Sequence, residues 1–294
     1  MKKLEKAVVL GSGTMGHGIA QVLAMAGCQV VLCDLMDDLV ARGLDKVRAN
    51  LEKGVARGKV DAGLCQASLA RLTGSVDAAA AMSDAHLVVE AVPEDLELKR
   101  RVLTGMGQAA PADAILATNT SSLPLATLAD VVPEPSRFIG LHFFNPPHLM
   151  RLVEIVVASG TSERTVTLAR ELVKNLGKEG IVVRDAPGFA TSRLGLAIGL
   201  EAMRMLEEGV ASAGDIDRAM ELGYNHPMGP LKLSDLIGLD VRLGISETLA
   251  RELNGDRFGP PDILRRKVKD GHLGRKTGLG FYRWSDEGPE EIEG

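Results

Sequence analysis

The chain has 294 residues, of which 45% are apolar and 25% charged, enough for one large hydrophobic core or two ordinary ones. Its 34 basic and 39 acidic side chains give a net charge of −5, which argues against a protein that coats nucleic acid or an anionic membrane. No run approaches the ~20 apolar residues of a membrane span, and the start resembles no signal peptide, so a cytoplasmic location is expected. Three cysteines without a CxxC pair favour neither disulfides nor a metal site.

Short apolar runs alternate with longer helical stretches through the first two-thirds of the chain. The predicted strands are Ala7–Leu10, Gln29–Cys33, His86–Ala91, Ile115–Thr118, Phe138–His142, Leu152–Val157 and Ile181–Arg184. The predicted helices between them include Met15–Ala26, Leu39–Gly58 and Thr165–Leu176. Most of the strands are continuous apolar runs, which is typical of strands covered on both faces. The pattern predicts an α/β fold with a parallel, Rossmann-type doubly wound sheet.

The pattern changes at the Asp185-Ala186-Pro187-Gly188 segment, where we place a domain boundary. The helices predicted after it are Phe189–Glu208, Ala213–Leu222, Pro230–Asn254 and Pro261–Asp270. We therefore expect an α/β domain over 1–185 and an all-helical domain over 186–294. The stretch 195–205 is apolar almost all round, so it should be buried in a domain core or a subunit interface.

A glycine-rich loop follows the first predicted strand and opens the first predicted helix. It reads Gly11-Ser12-Gly13-Thr14-Met15-Gly16, and the next strand ends in Asp34. The GxGxxG pattern alone is weak, but this strand–turn–helix–strand context is typical of a dinucleotide site. The glycines allow a tight turn and close approach of the pyrophosphate to the helix amino terminus. An aspartate that accepts hydrogen bonds from the ribose and repels a 2′-phosphate favours NAD over NADP.

Further segments of the chain match those of one protein family and occur in the same order. They are Glu90-Ala91-Val92-Pro93-Glu94-Asp95-Leu96-Glu97-Leu98-Lys99, Thr118-Asn119-Thr120-Ser121-Ser122-Leu123, His142-Phe143-Phe144-Asn145-Pro146-Pro147, Leu152-Val153-Glu154, Asp185-Ala186-Pro187-Gly188-Phe189, His226-Pro227-Met228-Gly229-Pro230 and Gly274-Arg275-Lys276-Thr277-Gly278. With the glycine loop, they make the whole chain resemble the L-3-hydroxyacyl-CoA dehydrogenase family, including its bacterial 3-hydroxybutyryl-CoA members. The resemblance implies NAD as cofactor, an acyl-CoA substrate, a helical arm at about 36–64 and a homodimer formed through the helical domain.

His142 and Glu154 are the predicted catalytic pair. Oxidation at C3 of a hydroxyacyl thioester needs a base for the hydroxyl proton, and an imidazole oriented by a carboxylate suits that task. His142 closes one predicted strand, and Glu154 lies inside the next, so the side chains can meet if the strands are neighbours. The resemblance makes His142 the base in oxidation, or the acid in reduction, and Glu154 its orienting partner.

The resemblance also implies roles for other polar residues. Ser121 would hydrogen-bond substrate and cofactor, and Asn145 would lie near the nicotinamide and the substrate. Glu94 and Lys99 would contact the nicotinamide ribose region, and Lys276 would reach the cofactor from the second domain.

The chain departs from the family pattern at the substrate positions. The helical arm of the family binds CoA through a serine and a lysine seven residues apart, where this chain has Asn50 and Arg57. The family asparagine beside the reacting part of the substrate is Ser192 here, and a hydroxyl has a shorter reach than a carboxamide. These departures bear on substrate preference more than on reaction type.

Three other functions stay open at this point. A dehydrogenase of free hydroxy acids would share the glycine loop, but related enzymes use a catalytic lysine where this chain offers Phe189, Ser192 and Arg193. The gulonate-type branch, which acts on a sugar acid, shares the His–Glu pair. A non-catalytic NAD-binding structural protein would keep the loop without the pair.

Overall fold

The computed structural model describes residues 4–292. Contacts between residues divide the chain into a first unit that ends at Ala186 and a second unit that begins at Pro187. Within the described residues, every helix is too short or too polar to traverse a lipid bilayer.

The first unit is built around an eight-stranded sheet. Its strands are β1 (Lys6–Leu10), β2 (Gln29–Cys33), β3 (Leu72–Ser75), β4 (Leu87–Glu90), β5 (Ile115–Thr118), β6 (Phe138–Phe143), β7 (Leu152–Val157) and β8 (Glu179–Arg184). Their order across the sheet is β3-β2-β1-β4-β5-β6-β7-β8. The order reverses direction at β1, which is the switch point of a doubly wound sheet. The predicted fold class is confirmed.

Seven helices cover the described part of the first unit. They are α1 (Gly16–Met25), α2 (Asp37–Ala56), α3 (Ala62–Ala70), α4 (Ala78–Met82), α5 (Leu96–Ala109), α6 (Leu125–Ala129) and α7 (Glu163–Asn175). The apolar runs of the central strands are buried, and α1 and α7 contribute to the same core cluster. A smaller cluster of Val47, Leu51 and Cys65 joins α2 to α3. This pair of helices corresponds to the arm that the sequence places at about 36–64.

The expectation of a wholly parallel sheet is wrong at one position. The pairing of β6 with β7 is antiparallel, whereas all the other neighbouring strands of this sheet are parallel. Residues 144–151 join the two strands, and a parallel pair needs a crossover of about a dozen residues or more. The short connection therefore forces the chain to turn back. The edge strand β3 was also not predicted, because its sequence is short and half polar.

The second unit is mostly helical rather than all-helical. Its helices are α8 (Thr191–Glu207), α9 (Ala213–Gly223), α10 (Pro230–Ile237), α11 (Leu239–Glu252) and α12 (Asp262–Lys269), and it ends in a hairpin of β9 (Tyr282–Ser285) and β10 (Gly288–Glu291). The single helix predicted over Pro230–Asn254 is wrong. Gly238 has a φ of 108°, which no α-helix accommodates, so the chain breaks there into α10 and α11.

A buried carboxylate connects the hairpin to the helices. Asp235 on α10 is 1% exposed. Its oxygens accept hydrogen bonds from the amides of Phe281 and Tyr282 and from the indole N–H of Trp284, each at 2.9 Å. Three donors, two on β9 and one on the residue before it, thus depend on one side chain.

The substitution Asp235→Ala leaves those three donors without their acceptor, and each unpaired buried donor costs about 1–3 kcal/mol. We expect the free energy of unfolding to fall by about 3 kcal/mol or more. Urea unfolding followed by the fluorescence of Trp284, the one tryptophan of the chain, measures this. Asp286→Ala, at an exposed turn of the same hairpin, is the control. Equal stability of the two variants would contradict the role of Asp235.

Candidate active site

The glycine loop forms a turn between β1 and α1 that is closed on one side and open on the other. Gly11 has a φ of 97°, and an added Cβ would lie 2.7 Å from the carbonyl oxygen of Ala91. A Cβ on Gly16 would overlap the carbonyl oxygen of Gly11. By contrast, a Cβ on Gly13 would meet nothing within 4 Å. The open side of Gly13 lies next to the amino terminus of α1, and this arrangement fits a pyrophosphate.

The loop residues between the glycines divide into buried and exposed side chains. Ser12 is 5% exposed and faces inward. Thr14 is exposed beside Gly13, and Met15 is half-buried at the start of α1. Only Thr14 therefore presents its side chain fully to solvent beside the proposed phosphate position.

Asp34 follows β2 and faces the glycine loop. One carboxylate oxygen accepts hydrogen bonds from the Ser12 amide at 2.8 Å and the Ser12 hydroxyl at 2.6 Å, and the other accepts from the Leu35 amide at 2.8 Å. Burial raises the pKa of Asp34, but these hydrogen bonds outweigh burial and the pKa lies below its ordinary value. The carboxylate is charged at neutral pH. A carboxylate has about four acceptor positions, so one remains for a ribose hydroxyl.

Glu94 organises the polar loop that follows β5. One of its oxygens accepts hydrogen bonds from the Thr120 hydroxyl at 2.6 Å, the Ser121 amide at 2.9 Å and the Ser122 amide at 3.1 Å. Burial raises the pKa of Glu94, but the charge of Lys99 and these hydrogen bonds hold it below its ordinary value. Ser121 is exposed at the surface of this loop, with its hydroxyl 3.4 Å from the same Glu94 oxygen.

Lys99 lies behind that loop rather than on its surface. It is 1% exposed, and its ammonium group contacts Glu90 at 2.6 Å, the Val92 carbonyl at 3.2 Å and Glu94 at 3.3 Å. An ammonium has three donors, and these three contacts can use all of them. The geometry therefore supports an indirect role for Lys99, in which it fixes the position of Glu94.

His142 and Glu154 face each other across the antiparallel strands β6 and β7, where they are register partners. His142 Nδ1 lies 2.7 Å from Glu154 Oε2, and both side chains are buried. The ring of Phe144 packs against His142 with the centroids 4.5 Å apart. A carboxylate oxygen only accepts, so the proton in this bond belongs to Nδ1 and the tautomer is fixed.

Asn145 follows His142 on the connection between β6 and β7, and its side chain is exposed. The neighbouring loop is tied to this strand by Asn119, whose side-chain oxygen accepts a hydrogen bond from the Phe143 amide at 2.9 Å. Asn119 thus holds the end of β6 against the loop that carries Ser121.

The carboxyl ends of the parallel strands bring most of these residues to one edge of the sheet. The loops after β1, β2, β4 and β5 carry Gly11, Asp34, Glu94 and Ser121, and His142 lies near the carboxyl end of β6. This is the edge at which open α/β sheets bind ligands. A cavity of about 750 Å³ lies at the opposite edge, beside Leu4, Cys28, His86 and Ile115, and contains none of the predicted site residues.

The remaining predicted residues lie elsewhere. Asn50 is half-buried on α2 and Arg57 is exposed just after it. Ser192 is half-buried in the first turn of α8, in the second unit. Lys276, also in the second unit, has its ammonium 2.6 Å from both carboxylate oxygens of Asp240.

Sequence reasoning gave no role to Glu90, Thr118 or Asn119, although all three support the site. Glu90 is fully buried, and it accepts hydrogen bonds from Lys99, the Val92 amide and, at 2.6 Å, the Thr118 hydroxyl. The available signal was a charged residue at the end of an apolar strand, which must be paired when buried.

The first and second glycines of the loop should respond differently to alanine. Gly11→Ala forces a left-handed backbone and a clash with Ala91, so the melting temperature should fall by about 5 °C or more. Gly13→Ala should leave that temperature unchanged, but it places a methyl group where the pyrophosphate is expected. The dissociation constant for NADH should then rise about tenfold or more. Calorimetry and fluorescence titration measure the two effects. Unaltered NADH affinity in Gly13→Ala would contradict the proposed cradle.

Comparison with known proteins places these features in a family. Residues 6–186 match the family model described as "3-hydroxyacyl-CoA dehydrogenase, NAD binding domain", and residues 188–284 match "3-hydroxyacyl-CoA dehydrogenase, C-terminal domain". The two models together span nearly the whole chain.

Individual relatives agree with the family models. A probable 3-hydroxybutyryl-CoA dehydrogenase of Deinococcus radiodurans is 41% identical over 94% of this chain and 99% of its own length. A 3-hydroxybutyryl-CoA dehydrogenase of Mycobacterium tuberculosis is 38% identical over 96% of this chain and 99% of its own. The crystal structure of (S)-3-hydroxybutyryl-CoA dehydrogenase from Ralstonia eutropha is similar, with 38% identity and a TM-score of 0.93 over 97% of this chain and 100% of that one. This chain therefore belongs to the 3-hydroxyacyl-CoA dehydrogenase family of NAD-dependent oxidoreductases.

Proposed function

We propose that the protein interconverts short-chain (S)-3-hydroxyacyl-CoA and 3-ketoacyl-CoA, with His142 and Glu154 as its acid–base pair. The observation that carries the proposal is the 2.7 Å contact between the imidazole and a buried carboxylate at the ligand-binding edge of the sheet. The names of the relatives support 3-hydroxybutyryl-CoA as a substrate. The base itself needs no metal, because an imidazole exchanges a proton near neutral pH.

In oxidation, His142 takes the proton of the substrate hydroxyl. We assign Nε2 to this step because Nδ1 is held by Glu154. As the C3–O double bond forms, the O–H proton passes to Nε2, and the charge of the resulting imidazolium is balanced by the Glu154 carboxylate. In reduction the same imidazolium returns the proton to the keto oxygen. Glu154 touches neither substrate nor cofactor in this scheme and is a positioning residue.

The first unit offers the residues that would hold NAD, which supplies the acceptor for the hydride leaving C3. Its pyrophosphate fits the open side of Gly13, where Ser12, Thr14, Met15 and the turn glycines complete the loop. Asp34 would accept a hydrogen bond from the adenosine ribose. Glu94 would face the nicotinamide side, with Lys99 behind it.

Polar side chains around the pair would bind the substrate. Ser121 and Asn145 are both exposed; Asn119 joins the loop of Ser121 to β6, and Asn145 follows His142 by three residues. Each side chain can donate a hydrogen bond to the oxygen on C3. Ser192 would contact the reacting part of the substrate, and Lys276 the cofactor. Asn50 on α2 and Arg57, which caps the carboxyl end of that helix, lie seven residues apart, about two helical turns, and would meet CoA from the same side.

A homodimer is part of the proposal. Leu194 and Ile198 on α8, and Leu236 and Ile237 on α10, are large apolar side chains between 38% and 65% exposed. Apolar side chains grouped on helices of one unit favour contact with a second copy of the chain.

Sedimentation measures the assembly directly. We expect a dimer at micromolar concentration, and Leu194→Asp should shift it toward monomer because a charge would be buried at the interface. Leu149→Asp, at an exposed apolar residue of the first unit, is the control and should leave the dimer intact. A wild-type protein that sediments as a monomer would contradict this part of the proposal.

The catalytic pair is tested by acetoacetyl-CoA-dependent oxidation of NADH. We expect His142→Asn to lower kcat by about 100-fold or more, since the proton donor is lost. Glu154→Gln should lower kcat less, because the imidazole remains but loses the carboxylate that orients it and balances its charge.

The control is Glu179→Gln, which removes a carboxylate that is 76% exposed at the start of β8. Its activity should equal that of the wild type. Undiminished turnover by His142→Asn would disprove the assignment. Turnover of free hydroxy acids but not of the CoA thioester would instead favour a sugar-acid or hydroxy-acid dehydrogenase.

A further inference from the structure

The second unit buries a guanidinium group that has no counter-charge beside it. Arg242 on α11 is 4% exposed, and its Nε atom lacks a hydrogen-bond partner among residues 4–292. Burial alone lowers its pKa to about 10. A nearby carboxylate would favour the charged form and raise that pKa. The lowered pKa of Arg242 is therefore consistent with the absence of a carboxylate beside it.

Such a group is unusual because it stays charged at neutral pH inside protein. Burying an ion without a partner costs several kcal/mol, and buried charges are normally paired. The buried carboxylates of the same unit have their own donors: Asp235 accepts from the hairpin, and Asp217 accepts from the amides of Leu231 and Lys232. An anion from outside the described chain is therefore the partner that Arg242 fits.

The neighbouring helix α8 packs against the guanidinium through two glycines. A Cβ on Gly195 would lie 3.8 Å from Nη1 of Arg242, and a Cβ on Gly199 would lie 4.0 Å from its Cζ. The two glycines are four residues apart on α8, so they form one stripe of that helix without side chains. Both distances are ordinary van der Waals contacts, so this stripe of α8 packs directly against the planar group.

Ser192 lies on the same stripe, three residues before Gly195. With a rise of about 1.5 Å per residue, Gly195 is ~4.5 Å farther along the helix axis than Ser192. Under the proposed function, on which this inference rests, Ser192 contacts the reacting part of the substrate. In this inference the acyl chain runs from Ser192 along the stripe toward the guanidinium.

We propose that Arg242 binds a carboxylate at the far end of the acyl chain, so that the preferred substrates are 3-hydroxyacyl-CoA thioesters of dicarboxylic acids. A guanidinium matches the geometry of a carboxylate and can bind it through two parallel hydrogen bonds. Three carbon–carbon bonds separate C3 from the carboxylate carbon of a six-carbon chain and span ~4 Å, and a paired guanidinium carbon lies ~4 Å farther on. The total of ~8 Å falls between the ~4.5 Å and ~10.5 Å that separate Ser192 from Gly195 and from Gly199 along the helix axis. A butyryl chain has no group to reach the guanidinium.

The test compares kcat/KM for NADH-dependent reduction of 3-ketoadipyl-CoA and acetoacetyl-CoA. The wild type should prefer the carboxylated substrate by about tenfold or more. Arg242→Met should lower kcat/KM for that substrate by about 100-fold, as loss of a buried ion-pair partner does, and leave acetoacetyl-CoA within about twofold. Arg242→Lys should retain part of the preference, because it keeps a charge without the planar fork.

Controls separate this selectivity from folding and assembly. Arg242→Met should not lower the melting temperature, since no partner is left unpaired and methionine fills a similar volume. Arg251→Met removes an exposed arginine from the same helix and should change neither substrate. If Arg242→Met does not fold, the comparison of Arg242→Lys with the wild type decides.

An unchanged substrate ratio in the Arg242 variants would overturn the inference while the dehydrogenase function stands. The same ratio with an altered sedimentation coefficient would overturn it in favour of a carboxylate from a second copy of the chain. Wild-type protein that reduces neither substrate would overturn the proposed function and this inference with it.

Discussion

The backbone register of two strands brings His142 and Glu154 together. The two residues are register partners on the antiparallel strands β6 and β7. Side chains directly opposite each other on such a pair have their Cβ atoms about 5 Å apart, so the ladder itself holds an imidazole beside a carboxylate. A shift of one residue in this register would turn one side chain to the opposite face and separate the pair. The short connection between the strands, which forces them to be antiparallel, is therefore a requirement of the proposed chemistry.

A second set of buried charges holds the loops after β4 and β5 in place. Glu90 lies beneath the loops after β4 and β5 and is bound by Lys99 and Thr118. Lys99 in turn forms an ion pair with Glu94, and Glu94 accepts hydrogen bonds from the amides of the loop that carries Ser121. A buried charged network costs free energy unless each member is paired, and in return it specifies one arrangement of the loops. The groups proposed to meet NAD and substrate are thus positioned by residues that touch neither.

Much of this arrangement could be predicted from local sequence signals. Continuous apolar runs indicated seven of the eight strands of the large sheet, and the glycine loop with Asp34 indicated where a dinucleotide would bind. Local sequence signals did not predict the features that depend on contacts between distant parts of the chain. The direction of β7 and the break at Gly238 were not predicted, since an apolar run has no direction and a lone glycine is tolerated in many helices. The burial of Lys99 and Arg242 could not be read either, because a charged residue in a helix usually lies on its solvated face.

The two units contribute different kinds of residue to the proposed function. The residues proposed to move the proton, and most of those proposed to bind the dinucleotide, belong to the first unit. Ser192 and Arg242, which are proposed to select the acyl chain, belong to the second unit. Substrate preference can then diverge through changes in α8 and α11 while the sheet and its loops stay the same.

The most direct measurement is a crystal structure of the protein with NADH and acetoacetyl-CoA bound. We expect His142 Nε2 within hydrogen-bond distance, about 3 Å, of the keto oxygen on C3, with Nδ1 still bonded to Glu154. A bound substrate whose keto oxygen is held by other groups, beyond the reach of His142 even through one water, would contradict the assignment of this pair as the acid and base.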